Sequence, residues 1–145
     1  MSGPVERKIV TRGAVQIEVL AQGKGPIMVL LPSLGRGAED FDPMADVLET
    51  EGYRVLRPQP RGIGASSANP AYADLHDCSN DIAAVIEAEG CGPAVMVGHA
   101  FGNRVSRLLA TIRPDLVTGV VLVAANVGHA PSPRDLSTSR MPSSA

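Results

Sequence analysis

The pentapeptide Gly98-His99-Ala100-Phe101-Gly102 constrains this chain more than any other stretch. An apolar run, Ala94 to Val97, leads into it and a helical pattern leads out, so five residues must turn a strand into a helix. Glycines at the two ends of such a turn serve geometry. The central residue sits in a strained backbone conformation, and no side chain fits where strand and helix nearly touch. A Gly-x-Ser-x-Gly turn in this setting is a nucleophile elbow, which lifts a reactive serine above a parallel sheet. Here the central residue is Ala100, whose methyl group can neither attack a carbonyl nor lose a proton. The turn for a nucleophile is present and the nucleophile is not.

The rest of the pattern supplies the sheet that such a turn needs. Short β-branched runs alternate with helical periods, which predicts an α/β architecture. Lys8–Arg12 and Ala14–Leu20 read as two strands joined tightly at Gly13, an antiparallel hairpin. Pro26–Leu31 is a continuous apolar run, the mark of a strand covered on both faces. Tyr53–Pro58, Ala94–Val97 and Gly119–Ala124 complete a set of about six. Three helices separate the later strands. The first has Asp42 as its N-cap, Pro43 at the first helical position, and a Met44, Val47, Leu48 stripe expected in the core; Gly52 suits its C-terminal end. The second starts at Asp74, places Leu75, Cys78, Ile82, Val85 and Ile86 on one side, and stops at Gly90. The third leaves the turn with Val105, Leu108, Leu109 and Ile112 at helical spacing and ends before Pro114. No internal repeat is visible. Residues 1–130 read as one domain, and 131–145, rich in Ser and Pro with no helical period, as a disordered tail.

Composition narrows the functional classes. At 145 residues with 44% hydrophobic content the chain can bury a real core. A net charge of −2 gives no reason to expect nucleic acid or an anionic membrane as partner. The polar start, Met1 to Lys8, lacks the apolar centre of a secretion signal, and no run approaches the roughly 18 apolar residues of a membrane span; Leu116–Val127 is too short. Cys78 and Cys91 read as reduced thiols, so the expected location is the cytoplasm. His76, His99 and His129 are scattered without metal-ligand spacing, and no metal or cofactor is expected. His99 is expected to pack at the strand end, His76 to lie on an exposed helix face, and His129 to sit in a loop. Gly35-Arg36-Gly37 and Gly62-Ile63-Gly64 lack the further residues of a nucleotide loop, and Arg36 reads as a solvated loop arginine.

Three landmarks in register resemble the first half of an α/β-hydrolase-fold protein. Pro32-Ser33-Leu34-Gly35-Arg36-Gly37-Ala38-Glu39-Asp40-Phe41 follows the third strand, where that family usually begins with His-Gly. Arg57-Pro58-Gln59-Pro60-Arg61-Gly62-Ile63-Gly64-Ala65-Ser66 stands where it commonly has Asp-x-Arg-Gly-x-Gly-x-Ser, and Gly98–Gly102 is the elbow. The resemblance covers about Arg7 to Val127. It implies an α/β, mostly parallel sheet of about six strands with flanking helices, its first two strands a hairpin. It also implies attack by an elbow serine on an ester, thioester or amide carbonyl of a small molecule, with a histidine base, an orienting acid and an oxyanion hole. By position the oxyanion donors are the main-chain N–H groups of Leu34 and Phe101, and Gly98 and Gly102 serve the elbow's geometry.

The departures weigh as much. Ala100 stands at the nucleophile position, Ser33 replaces a glycine beside the oxyanion loop, and Gln59 replaces an aspartate, which alters a loop hydrogen bond rather than chemistry. The family's acid and histidine follow its seventh and eighth strands, and only six strand patterns are present. The expectation is a truncated hydrolase without its triad, inactive as it stands, with strand Gly119–Ala124 on a bare sheet edge open to self-association or a complementing chain. The competing reading is a non-catalytic module that binds a ligand or partner through the elbow pocket. A third is an alanine introduced to silence a serine and trap substrate.

Overall fold

A computed structural model describes residues 3–33, 35–67, 74–90 and 92–123. Its elements are β1 (Glu6–Arg12), β2 (Val15–Gln22), β3 (Ile27–Leu31), α1 (Asp42–Thr50), β4 (Arg54–Pro58), α2 (Leu75–Glu89), β5 (Ala94–His99), α3 (Phe101–Ile112) and β6 (Val117–Val123). A single 3-10 turn, Ala38–Phe41, precedes α1. All six expected strands and three helices are there. β1, β2, β5 and β6 run one to two residues further than the apolar patterns, because main-chain pairing continues where side chains turn polar: Glu6 pairs with Ala21 and Gln22 with Val55. The tail from Pro131, together with Ala124 and His129, lies outside the described residues.

The strands form one sheet in the order β1-β2-β4-β3-β5-β6. β1–β2 and β2–β4 are antiparallel; β4–β3, β3–β5 and β5–β6 are parallel. The β1–β2 turn needs a left-handed backbone, which Gly13 takes at φ 60°. Each parallel step needs a crossover, and α1, α2 and α3 supply them. From β3 the chain first steps to β4 on one side, then returns to β5 and β6 on the other. Strand order therefore reverses between β3 and β5, and the loops leaving their carboxyl ends diverge. That opens a crevice at the ends of those two strands.

Alternation along β3 builds the two layers. Ile27, Val29 and Leu31 meet Ile82, Val85 and Ile86 of α2 and Val105 and Leu109 of α3 in the larger core cluster. Leu30 faces the other way, with Val55, Val97, Phe41 and Ala45. α2 starts with a capping box in which the Asp74 side chain accepts from Asp77 N–H and Asp77 accepts from Asp74 N–H, and Gly90 ends it at φ 74°. Leu75, Cys78 and the Ile82/Val85/Ile86 face pack as the periodicity predicts.

α1 departs from expectation at its start and on its face: Phe41, not Asp42, is the N-cap, and Asp42 is the first helical residue. Met44 and Val47, expected in the core, are 37% and 61% exposed. Phe41, Ala45 and the half-buried Leu48 make the apolar contact instead. The reason is polar. Arg57 on β4 is 2% exposed and donates to Gln22 Oε1 (2.8 Å), to Ala38 C=O (3.3 Å) and to Asp42. Gln22 in turn donates to Asp46 Oδ1 (3.0 Å) and Glu49 Oε1 (2.8 Å). Asp42, Asp46 and Glu49 thus form the stripe that docks α1 to β2 and β4, and rotating it inward turns Met44 and Val47 outward. On the sheet's far side, β6 is the edge strand among the described residues, with Val121 and Leu122 about half exposed.

Two predictions follow from this packing. Val47→Ser leaves stability within about 0.5 kcal/mol, whereas Leu56→Ala, at a fully buried core position, costs about 2–5 kcal/mol; urea unfolding monitored by circular dichroism distinguishes them. The second concerns Glu89, which joins β1 to β4 through Lys8 Nζ (2.8 Å) and Arg54 Nε (3.0 Å). Burial pushes its carboxyl up, but hydrogen bonds and charge from Arg54 and Lys8 outweigh burial and hold it below its ordinary value near 4.5. A folded-state pKa below the unfolded one stabilises the fold above the unfolded value and ceases to do so as pH falls through the folded one. Glu89→Gln is therefore expected to destabilise the chain at neutral pH, with the deficit closing as pH falls through and below the ordinary carboxylate range; urea titrations at several pH values check it.

Candidate active site at the ends of β3 and β5

The crevice is framed by the turn that joins β5 to α3. Ala100 occupies its apex at φ 53°, ψ −112°, and among the described residues it is the one non-glycine with positive φ. L-residues rarely adopt that conformation, and surrounding contacts must hold it. Here they are main-chain contacts. Ala100 N–H donates to Val123 C=O (3.3 Å) and Asn103 N–H to Ala100 C=O (2.9 Å). The Asn103 side chain, 4% exposed, exchanges two hydrogen bonds with the Val123 main chain, each 3.3 Å. Asn103 thereby pins the end of β6 against the turn, a role its place among the α3 hydrophobes did not signal.

The two glycines are required by space rather than by dihedral freedom. A Cβ on Gly98 would lie 2.5 Å from the carbonyl carbon of Gly102, and one on Gly102 would lie 2.5 Å from Leu31 C=O. α3 thus starts in direct contact with β3. Phe101, the first residue of α3, has a main-chain N–H outside the helix's i→i−4 ladder, as an oxyanion donor must. Leu34 lies outside the described residues, so the second expected donor has no described position.

The loops around the crevice are knitted by buried polar groups. Gln59 is 2% exposed; its Oε1 accepts from Ala38 N–H (2.8 Å) and its Nε2 donates to both Glu39 oxygens (3.1 Å each). That hydrogen bond holds the Glu39 carboxyl below its usual range. The expectation that Gln59 serves the loop, not chemistry, agrees with these contacts. Ser66 Oγ accepts from Glu18 N–H (2.9 Å) and donates to Gln59 C=O (2.8 Å), while Arg61 pairs with the buried Asp81 (2.7 Å). A Cβ on Gly64 would lie 2.4 Å from Glu18 Oε1, so the Gly62-Ile63-Gly64 loop folds onto β2. Arg36 is an exposed loop residue paired with Asp40 (2.8 Å), as expected for a solvated arginine.

One contact at the crevice was not foreseen. Ser33, two residues past β3, and His99, the last of β5, are both half-buried, and Ser33 Oγ is hydrogen-bonded to His99 Nδ1. Expected to pack at the strand end, His99 is instead half of a polar pair. The register places the pair within reach: Leu31 lies opposite Gly98, so Ser33, two residues past Leu31, and His99, next after Gly98, are at the same end of two adjacent strands. His76 is exposed on α2. Among the described residues no cluster of His, Cys, Asp or Glu is arranged to hold a metal ion, and no helix is long and apolar enough to cross a membrane.

A doubly crossed sheet with a strained apex at its switch point is the architecture of one large family. The alpha/beta hydrolase fold model matches residues 26–142, and the chain belongs to that family. It is 30% identical over 111 residues to the 2-(acetamidomethylene)succinate hydrolase of Mesorhizobium japonicum, covering 77% of this chain and 40% of that protein. It is 31% identical over 129 residues to epoxide hydrolase A of Mycobacterium tuberculosis, covering 86% and 39% respectively. Among solved structures, an epoxide hydrolase of Vigna radiata superposes with a TM-score of 0.78 at 25% identity, over 94% of this chain and 46% of that one. The chain therefore spans about two fifths of the length of the curated relatives it matches.

The turn's geometry makes a steric prediction. Gly98→Ala or Gly102→Ala forces main chain apart at β3 and α3, at a cost at or above the roughly 1–3 kcal/mol of ordinary overpacking. A smaller loss in urea titrations of either variant would contradict the described contact.

Proposed function

We propose that the β5–α3 turn is a nucleophile elbow and that the chain is a hydrolase of small molecules closed to covalent catalysis at that elbow. Its bond class is an ester, thioester or amide, or the epoxide named in several of its relatives. The observation that carries this reading is Ala100. The strained φ and the two obligate glycines are those of a residue displayed for attack, yet the displayed group is a methyl. Nucleophilic catalysis needs an oxygen, sulfur or nitrogen at that point. By the family resemblance the acid and histidine follow a seventh and eighth strand, beyond the portion of its relatives that this chain parallels. Removing the serine of a triad enzyme costs on the order of a millionfold in kcat. The same alanine equally favours a second reading, a non-catalytic module that holds a small acyl-type ligand in the crevice.

Steady-state release of nitrophenolate from p-nitrophenyl acetate, together with an epoxide and an acyl thioester, tests the proposal. The chain is expected to sustain no turnover above buffer, and Ala100→Ser and Ala100→Asp to add none unless the acid and histidine are also supplied. If a chain extended through those elements becomes an enzyme with Ala100→Ser, the hydrolase reading holds. If it binds ligand but stays inert, the binding-module reading replaces it. Sustained turnover by the unmodified chain overturns both.

A further inference from the structure

We infer that Ser33 and His99 form an unassigned Ser–His pair able to take an acyl group from an activated ester or thioester. The inference rests on the elbow reading only in that Ala100 leaves the crevice without a nucleophile of its own. Two independent elements bring the pair together, the residue after the β3 strand end plus one and the last residue of β5, and the parallel register that sets Leu31 beside Gly98 fixes their approach. Both side chains are half-buried, so they are shielded enough to keep the hydrogen bond and open enough to meet a small molecule. The hydrogen bond joins the oxygen to Nδ1. With the imidazole proton on Nε2, Nδ1 accepts from Ser33 Oγ–H, which is the arrangement by which a base activates a serine. α3 begins two residues after His99, so the main-chain N–H groups of Phe101 and Gly102, outside the helix's i→i−4 ladder, lie at the same end of the sheet.

The step balances without any co-reactant. Ser33 Oγ attacks the acyl carbon and its proton passes to His99 Nδ1. The carbonyl re-forms, the bond from carbon to the aryloxide or thiolate breaks, and the leaving group takes the proton from Nδ1. The products are O-acyl-Ser33 and a free phenol or thiol. Release is a harder step. The acyl-serine is an alkyl ester with a poor leaving group, and among the described residues the one hydrogen bond to His99 comes from Ser33, with no carboxylate to orient the ring. Asp40 on the same loop is engaged by Arg36 at 2.8 and 3.0 Å. The pair is therefore suited to a single acylation, not to turnover.

The test is a stoichiometric one. The chain is mixed with excess p-nitrophenyl acetate, the nitrophenolate burst is recorded, and the acetyl group is located by peptide mass mapping. One equivalent on Ser33 is expected, absent in Ser33→Ala and in Ser33→Gly, and formed about 10²–10⁴-fold more slowly in His99→Gln, as loss of a general base requires. Circular dichroism of each variant establishes that it folds; the two replacements at Ser33 guard against one of them failing to. Acetylation only at lysines or other serines, no adduct, or an equal rate in Ser33→Ala overturns the inference. The two readings fail separately, because the mapped adduct decides Ser33 whereas the steady-state rate decides Ala100.

Discussion

Main chain against main chain, with no room for a single carbon between, is the constraint from which the rest of this structure follows. Gly98 meets Gly102 and Gly102 meets Leu31 at distances that exclude any Cβ. Because α3 starts in contact with β3, its axis is aimed down across the sheet, and Val105, Leu108 and Leu109 arrive buried. Because β5 must turn so sharply, Ala100 is driven to positive φ, and the residue on either side of it is directed to a different task. His99 ends in the crevice beside Ser33, and Phe101 opens the helix. Strain at one residue is tolerated because the Asn103 and Val123 main-chain bonds over-determine it.

Around that contact the fold is held by buried polar groups as well as by its apolar core. Arg57, Gln22, Gln59 and Asp81 are each 3% exposed or less, and each reaches across elements rather than along one. Such networks contribute little net stability over an apolar core, but breaking one partner is costly, since it strands a buried charge or dipole. Their effect here is positional. Arg57 and Gln22 dock α1, Gln59 sets the loop after β3, and Ser66 with Glu18 sets the loop after β4. Both loops leave the carboxyl ends of adjacent strands, and polar contacts set where each one runs.

The β5–α3 turn holds this geometry with a methyl group at its apex. The close backbone contacts and the loop networks depend on glycine, glutamine and arginine positions, and Ala100 contributes main-chain hydrogen bonds that any side chain there would leave in place. The fold therefore combines a sharp strand-to-helix turn and a polar pair at the strand ends with an alanine at the turn's apex. Function in this family lies in a few side chains placed on a backbone that persists without them.

Much of the architecture was legible in the amino-acid sequence, because each strand and helix carries its own period and its own terminators. The apolar run of β3, the Asp74 and Gly90 ends of α2, the Val105–Leu108–Leu109 face of α3 and the Gly98–Gly102 turn all declare themselves locally. The face of α1 did not, since Met44-Val47-Leu48 and Phe41-Ala45-Leu48 are both valid helical stripes and only buried Arg57 and Gln22 select between them. Nor did the meeting of Ser33 with His99, which are 66 residues apart and neighbours only through the parallel pairing of β3 with β5. By itself the sequence determined which segments become strands and helices and that the apex holds a methyl group. Tertiary structure alone decided which polar groups meet, because strand register and helix rotation are set by contacts between distant segments, and no local period encodes them.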